Sequence, residues 1–139
     1  MSTSPEKPLI LIADDRPSSR ELLRLVLERA GYAVIEAEDG EKALDRARAG
    51  NPDLVLLDLQ MPVLDGYGVL AALRGEERFR NLPVLALTAS AMRGDRERIM
   101  DAGFTDYLAK PAGSEVLRET VARLLREARV RSLEREETA

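Results

Sequence analysis

The chemically capable residues of this chain stand directly after its apolar stretches. Four stretches each end in a residue type that phosphoryl chemistry uses. Together they supply three carboxylates, one hydroxyl and one ammonium, from Asp14, Asp15, Asp58, Thr88 and Lys110. If the four stretches are neighbouring parallel strands, these groups meet at the carboxyl edge of one sheet. Open α/β sheets bind their ligands at that edge, so the pattern predicts a site there.

Three carboxylates in one place require compensation. At ~5 Å and an effective dielectric of ~20, two carboxylates repel by about 3 kcal/mol, so three pairs cost on the order of 10 kcal/mol. A domain with a net stability of only about 5–15 kcal/mol must offset that repulsion, by taking up a proton or by binding a cation. Mg²⁺ fits a site of oxygen ligands in a chain that contains neither His nor Cys. A single aspartate here would more simply cap a helix beginning near Pro17; the set of three favours the metal.

The ammonium of Lys110 is the second indication. The chain has only three lysines among its 21 basic residues. A lysine at a strand end in an arginine-rich chain indicates a need for a compact point charge, able to pair with a carboxylate or a phosphoryl oxygen. An ordinary surface charge is the alternative. Considered alone, Thr88 would be interpreted as an ordinary β-branched strand residue and Tyr107 as a residue that packs in the core. The small residues that follow Thr88 favour a hydroxyl that faces a ligand.

Composition narrows the function classes. The 139 residues make one domain of ordinary size, 45% hydrophobic and 33% charged. A net charge of −4 argues against a nucleic-acid partner bound through phosphate neutralisation. No apolar run reaches the roughly 20 residues of a membrane span, so no membrane partner is expected. The absence of Cys and His excludes thiolate chemistry, imidazole bases and most zinc sites.

Strands and helices alternate along the chain. The predicted strands are residues 8–13, 32–37, 54–57, 83–87 and 105–108. The predicted helices are residues 17–29, 41–49, 67–73, 92–101 and one that begins at Ser114. Glycines are expected to close three of the helices, at Gly31, Gly50 and Gly103. Five such units imply right-handed crossovers and a parallel sheet with helices on both faces.

The strands also differ in a way that orders them. The first, third and fourth are nearly unbroken apolar runs, as strands buried on both faces should be. The second carries Glu36 and the fifth carries Thr105 and Asp106, so both belong at the edges. The order 2-1-3-4-5 satisfies this, which predicts a doubly wound, flavodoxin-like α/β fold.

We divide the chain into three parts. Residues 1–7 are expected to be a disordered lead-in, residues 8–127 the domain, and residues 128–139 a charged tail that extends the last helix. The tail is interpreted as a solvated helix end, with a dimer contact or a linker as the alternatives.

Over about residues 8–127 the chain resembles the receiver domains of two-component response regulators. The resemblance rests on four segments, Ala13-Asp14-Asp15, Asp58-Leu59-Gln60-Met61-Pro62 with Asp65-Gly66, Leu87-Thr88-Ala89, and Asp106-Tyr107-Leu108-Ala109-Lys110-Pro111. Their order and separations agree with the family pattern. Residues 91–98 resemble stand-alone regulators most closely, of the chemotaxis or cell-division type, together with the receivers of hybrid kinases.

The resemblance implies a bacterial, cytoplasmic signalling switch rather than a metabolic enzyme. Asp58 would accept a phosphoryl group from the phosphohistidine of a sensor histidine kinase or a histidine phosphotransfer protein. Lys110 would contact that group and Thr88 would hydrogen-bond one of its oxygens, since phosphoryl transfer depends on alignment and charge neutralisation. Mg²⁺ would be held by Asp15, Asp58 and the backbone carbonyl of Gln60, with Asp14 acting mainly through a bound water.

The resemblance further implies how the signal leaves the domain. Movement of Thr88 toward the phosphate would let Tyr107 turn inward and repack the face formed by the fourth helix, fifth strand and fifth helix. A downstream protein would bind that face. The sequence does not decide whether the protein also forms a homodimer. Lys110-Pro111 would be a cis peptide, while Gln60 and Ser90 would set the rate of dephosphorylation.

Three other functions fit the sequence less well. A phosphohydrolase with an Asp nucleophile should carry a second acid two residues after Asp58, where this chain has Gln60. A phosphate-independent binding module is disfavoured by the intact set of site residues. A nucleotide-binding Rossmann domain would need a glycine-rich turn after the first strand, which is missing.

Overall fold

A computed structural model describes the backbone of residues 7–138 and the side chains of residues 7–136. The strands are β1 (Leu9–Ala13), β2 (Ala33–Ala37), β3 (Leu54–Asp58), β4 (Val84–Thr88) and β5 (Asp106–Ala109). The helices are α1 (Pro17–Arg29), α2 (Gly40–Gly50), α3 (Gly66–Arg74), α4 (Arg93–Ala102) and α5 (Ser114–Thr138). A short 3₁₀ turn, Glu77–Phe79, precedes β4. The predicted lead-in, apart from Lys7, lies outside the described residues.

The sheet is parallel throughout and has the order β2-β1-β3-β4-β5, which confirms the predicted topology. Burial explains that order. Every residue of β3 and β4 is buried, whereas β2 and β5 are largely half-buried, as edge strands should be. A polar residue such as Glu36 is tolerated in β2 because that strand keeps contact with solvent.

The core has two layers, one on each face of the sheet, because neighbouring strand residues point to opposite sides. On one side Ile10 and Ile12 of β1 pack with α1 and α5, including Leu27 and Val121. On the other side Leu11 and Ala13 pack with residues of α2, α3 and α4. The two-sided covering of the sheet was predicted and is confirmed.

Helix ends were predicted well in two of three cases. Gly31, with φ of 100°, follows α1, and the N–H groups of Gly31 and Tyr32 donate to Glu28 and Leu27 in a Schellman arrangement. Gly103, with φ of 107°, ends α4 as expected. The expectation for Gly50 was wrong: it is the last helical residue of α2, and Asn51 takes the left-handed conformation instead. An added methyl group at position 50 would lie 2.9 Å from Cδ1 of Ile35, a contact that the flexible end of that side chain can relieve.

The last helix continues beyond the part that packs on the sheet. α5 runs as one helix to Thr138, through the segment predicted as a charged tail. Its first half buries Leu117, Val121 and Leu124, whereas Val130 and Leu133 are about half exposed. Within residues 7–138, no helix combines the length and the apolar character needed to cross a bilayer.

Candidate functional site

The carboxyl ends of β1 and β3 bring three acidic residues together. Asp14 and Asp15 follow β1 directly, and Asp58 is the last residue of the neighbouring β3. Their carboxylates each offer an oxygen, and these oxygens all lie within 4.8 Å of one another. The parallel pairing of Ala13 with Leu57 fixes this convergence, because it places the next residues of both strands side by side.

Lys110 bridges two of the three acids. It follows β5, and its Nζ donates to Oδ2 of Asp14 and to Oδ2 of Asp58, each at 2.9 Å. Burial alone would lower the pKa of Lys110. The hydrogen bonds to Asp58 and Asp14 outweigh burial and raise the pKa. The ammonium therefore stays charged and offsets part of the negative field at the acids.

Asp14 is completely buried, with a relative exposure of 0%, yet its pKa is lowered. Burial works against the charged form, but hydrogen bonds from Ser19 Oγ (2.6 Å), the Arg16 N–H (2.9 Å) and Lys110 more than compensate. The carboxylate is therefore held ionised by its donors. The N-cap residue of α1 is Arg16, which makes no side-chain capping bond, so neither Asp14 nor Asp15 is the N-cap.

Two contributors at this site were missed from the sequence. Ser19 donates to Asp14, and Arg20 donates from Nη1 to the backbone carbonyl of Asp14 at 2.7 Å while its Nε contacts Glu36. Both lie in the first turn of α1, which is where a side chain can reach back to the strand end. The sequence feature that could have indicated Ser19 is a hydroxyl five residues after a buried acid, Asp14.

The acids fit a hard divalent cation. Asp15 is exposed, whereas Asp14 and Asp58 are buried, so the cluster is open on one side. The N–H of Gln60 donates to Oδ1 of Asp58 at 3.0 Å, and Lys110 holds the other oxygen. Convergent carboxylate oxygens with one solvent-facing side are the donors that Mg²⁺ takes while it keeps several waters.

Thr88 ends β4, but its hydroxyl is turned toward the following loop. Oγ1 donates to the backbone carbonyl of Ser90 at 2.7 Å and accepts from the Ser90 N–H at 3.1 Å. Ser90 Oγ in turn donates to Asp95 in the first turn of α4 at 2.6 Å. Thr88 thus stands at the predicted edge of the sheet, with its hydroxyl engaged by the β4–α4 loop.

Tyr107 lies in β5 beside β4, where it pairs in register with Ala86. It is partly buried and packs against the core layer that α2, α3 and α4 cover. The Lys110-Pro111 peptide is cis, as the resemblance implied. Tyr107 and Lys110 are thus three residues apart on one edge strand and its loop.

A cleft of about 620 Å³ opens above the acids. Asp15, Asp58, Gln60 and Lys110 line its polar side. Residues of α1, of the end of β4 and of the β5–α5 loop line the remainder, among them Leu22, Leu87 and Pro111. The Asp58 carboxylate is therefore reachable from outside, while Asp14 beside it is completely buried.

Comparison with known proteins gives one consistent result. Residues 10–122 match the family described as the response regulator receiver domain. The polar-differentiation response regulator DivK of Brucella ovis is 39% identical over 119 residues, which are 86% of this chain and 97% of that protein.

Solved structures agree with that match. The chemotaxis protein CheY4 of Vibrio cholerae has a TM-score of 0.81 and 31% identity, covering 86% of this chain and 99% of that one. The receiver domain of the sensor histidine kinase PA1611 of Pseudomonas aeruginosa PAO1 has a TM-score of 0.80 and 37% identity, covering 86% and 98%. That crystal structure is described with a magnesium ion coordinated in the active-site cleft.

Proposed function

This chain belongs to the response regulator receiver family, and we propose that it is a switch whose Asp58 takes a phosphoryl group from a phosphohistidine on a partner protein. The donor is a sensor histidine kinase or a histidine phosphotransfer protein, because the chain contains no histidine of its own. Asp58 is the residue that the cleft exposes to an incoming group while a lysine holds one of its oxygens.

One observation carries the proposal. Lys110 Nζ lies 2.9 Å from both Asp14 and Asp58, so a single positive charge is shared by two carboxylates that belong to a cluster of three. The local charge remains negative, which favours a divalent cation. Asp14, Asp15, Asp58 and the backbone carbonyl of Gln60 are the groups proposed to hold Mg²⁺, Asp14 through a bound water. When bound, Mg²⁺ neutralises charge on the phosphoryl oxygens.

The chain's own residues supply alignment and charge. An oxygen of Asp58 attacks phosphorus, the N–P bond of the phosphohistidine breaks, and the bonding electrons leave with the imidazole. Lys110 stays protonated, since its pKa is raised. Its ammonium exchanges the ion pair with the Asp58 carboxylate for one with the phosphoryl oxygens. Alignment and charge neutralisation account for most of the rate in such transfers. Hydrolysis of the acyl phosphate would reset the switch, with Gln60 and Ser90 beside the path of the water.

The output we propose is a change of partner binding. Thr88 gives up its bonds to Ser90 in favour of a phosphoryl oxygen, Tyr107 turns inward, and the face made by α4, β5 and α5 presents a different surface to a downstream protein. A homodimer through this face is compatible with the proposal. We place this switch in the bacterial cytoplasm, where the phosphodonor domains of histidine kinases lie.

Labelling at Asp58 tests the proposal. Purified protein is incubated with ³²P-acetyl phosphate and Mg²⁺, and retained label is measured for wild type, Asp58→Asn and the control Asp45→Asn, which alters an exposed aspartate of α2. Wild type and the control should retain label that EDTA prevents and hydroxylamine releases, whereas Asp58→Asn should retain none. Equal label on Asp58→Asn would show that the acceptor is another residue.

A further inference from the structure

Arg20 is a largely buried arginine of α1 whose guanidinium is divided between two partners. Only 15% of its side chain is exposed. Its Nη1 donates to the backbone carbonyl of Asp14 at 2.7 Å, and its Nε donates to Oε1 of Glu36 in β2 at 3.3 Å. One planar guanidinium makes both contacts, because its donors form a rigid fork. Arg20 therefore ties the end of β1 to the neighbouring edge strand.

The Asp14 carbonyl lies where the chain leaves the sheet. β1 ends at Ala13, and the N–H of Asp14 still donates to the carbonyl of Ala37 at 3.1 Å, in continuation of the pairing with β2. The carbonyl of Asp14 accepts from the side chain of Arg20 instead of from a strand. Arg20 thus supplies the hydrogen bond that a neighbouring strand supplies to the residues before it.

The bond from Arg20 also constrains Asp15. The carbonyl of Asp14 and the N–H of Asp15 belong to one planar peptide group, so a donor that holds the oxygen also orients the start of the next residue. The carboxylate of Asp15 is exposed, and no group in the described part of the chain donates a hydrogen bond to it. The direction of this carboxylate therefore depends on its backbone, which Arg20 holds.

The other two acids of the cluster are held by their carboxylates. Lys110 donates to both Asp14 and Asp58, and the N–H of Gln60 holds the second oxygen of Asp58. Only Asp15 lacks such a donor within the described residues. A cation bound by the cluster needs all three carboxylates in place, and residues that orient a metal ligand from outside strengthen metal binding.

A second arginine of α1 shares Glu36 but does not reach the acids. Arg24 Nε lies 3.5 Å from Oε2 of Glu36, and its Nη1 lies 4.0 Å from Glu28. Within the described structure Arg24 forms no hydrogen bond with Asp14, whereas Arg20 does. The two arginines thus place equal charges on one helix and against one carboxylate, and they differ in the bond to the Asp14 carbonyl.

We propose that Arg20 is a positioning residue for Mg²⁺, which aims the Asp15 carboxylate at the ion through the peptide between Asp14 and Asp15. This rests on the proposed function, because it concerns the Mg²⁺ site proposed there. The positive charge of Arg20 by itself opposes the binding of a cation. Loss of the charge and loss of the alignment therefore change Mg²⁺ affinity in opposite directions, which makes the role testable.

The test compares Arg20→Met with its matched control, Arg24→Met. Mg²⁺ affinity is measured on the unphosphorylated protein at pH 7 and fixed ionic strength, by competition with Mn²⁺ whose free form is followed by electron paramagnetic resonance. Arg20→Met should bind Mg²⁺ about tenfold more weakly than wild type, as when an outer partner of a metal ligand is removed. Arg24→Met should bind it as tightly as wild type or slightly more tightly.

Two further measurements separate alignment from folding. Urea unfolding in EDTA reports the stability that each variant loses with its ion pair, but a loss of stability alone leaves the Mg²⁺ affinity of the folded protein unchanged. The Mg²⁺ concentration for half-maximal labelling by acetyl phosphate should rise in Arg20→Met by the same factor as the dissociation constant. Arg20→Lys keeps the charge without the fork, so its affinity should lie between those of wild type and Arg20→Met.

Mg²⁺ affinity that is unchanged or higher in Arg20→Met would overturn the positioning role, because the charge alone would then have mattered. Equal weakening in Arg24→Met would overturn it as well. If Arg20→Met does not fold, wild-type affinity in Arg20→Lys would do the same. Failure of wild type to bind Mg²⁺, or to retain label on Asp58, would instead overturn the proposed function, and this role with it.

Discussion

Replacing Lys110 with methionine should destabilise the metal-free protein in a way that depends on pH. The substitution removes the ammonium that two carboxylates share and keeps a side chain of similar length. Carboxylate oxygens within 4.8 Å repel by about 3.5 kcal/mol at an effective dielectric of ~20. We therefore expect the free energy of unfolding at pH 7 in EDTA to fall by about 3 kcal/mol.

Proton uptake limits this loss and gives it a pH dependence. At pH 7, protonating a carboxyl whose ordinary pKa is 3.8 costs about 4 kcal/mol, and at pH 5.5 it costs about 2 kcal/mol. In wild type the pKa of Asp14 is lowered, so its contribution is present above pH 3.8 and is lost only as the pH falls through the lowered pKa. In the variant the lowering contributions of Lys110 are gone while those of Ser19 and Arg16 remain, so the pKa of Asp14 is higher than in wild type. The deficit should therefore shrink to about 2 kcal/mol or less at pH 5.5.

Urea unfolding at both pH values, with EDTA or with saturating Mg²⁺, measures these quantities. The absence of histidine leaves the window between pH 5.5 and 7 free of imidazole titration. Mg²⁺ should restore most of the stability, because it replaces the missing charge. The control is Lys42→Met, which breaks an exposed ion pair with Glu38 and should have no measurable effect. A deficit that is equal at both pH values and unaffected by Mg²⁺ would show that Lys110 acts by packing, which would refute the electrostatic account of the site.

Three further substitutions test other parts of the structure. Thr88→Ala should still be labelled by acetyl phosphate but lose the coupling to Tyr107, so phosphorylation should no longer change the fluorescence of Tyr107 or increase partner binding; equal partner binding by the phosphorylated variant and wild type would contradict this. Gly40→Ala should lower the free energy of unfolding by about 2 kcal/mol or more, because its methyl group would lie 1.9 Å from the Leu64 carbonyl oxygen. Gly94→Ala in α4, with no atom within 4 Å of the added methyl group, should leave stability unchanged or raise it by up to about 1 kcal/mol in the same urea assay.

Strand order and the position of the site could be predicted because both follow from burial. A strand covered on both faces has to be apolar throughout, and a polar residue at its carboxyl end then lies at the sheet edge. β1 and β3 meet both conditions, so the convergence of Asp14, Asp15 and Asp58 needed only the parallel pairing of those strands. Lys110 follows β5, which is a half-buried edge strand, so it was predicted from its place after a short apolar run and from the scarcity of lysine in the chain.

The features that were missed could not be predicted from local sequence preferences. Gly50 was expected to close α2, but it is the last helical residue and Asn51 takes the left-handed conformation that follows. Nothing in the sequence distinguishes Ser19 from other polar residues of the helix, and only the folded structure shows its hydroxyl 2.6 Å from Asp14. Val63 adopts a positive φ that valine disfavours, because the packing of Leu64 determines the backbone conformation of the loop. Local propensity fails where tertiary contacts are stronger.

The position of the Thr88 hydroxyl bears on how sensitive the proposed switch would be. In this structure Thr88 makes two hydrogen bonds to Ser90, which would be exchanged for one bond to a charged phosphoryl oxygen. Two neutral hydrogen bonds together contribute about 1–3 kcal/mol and one charge-assisted bond about 1.5–3 kcal/mol, so the net gain from Thr88 is close to zero. A shift from 1:99 to 99:1 needs about 5.5 kcal/mol, so Thr88 alone cannot drive it. The remainder would have to come from Lys110, which leaves its shared position between Asp14 and Asp58 for the phosphoryl oxygens, and from the repacking of Tyr107. The sensitivity of the switch would thus be set by the ion pair at the strand ends more than by the hydroxyl that senses the phosphate.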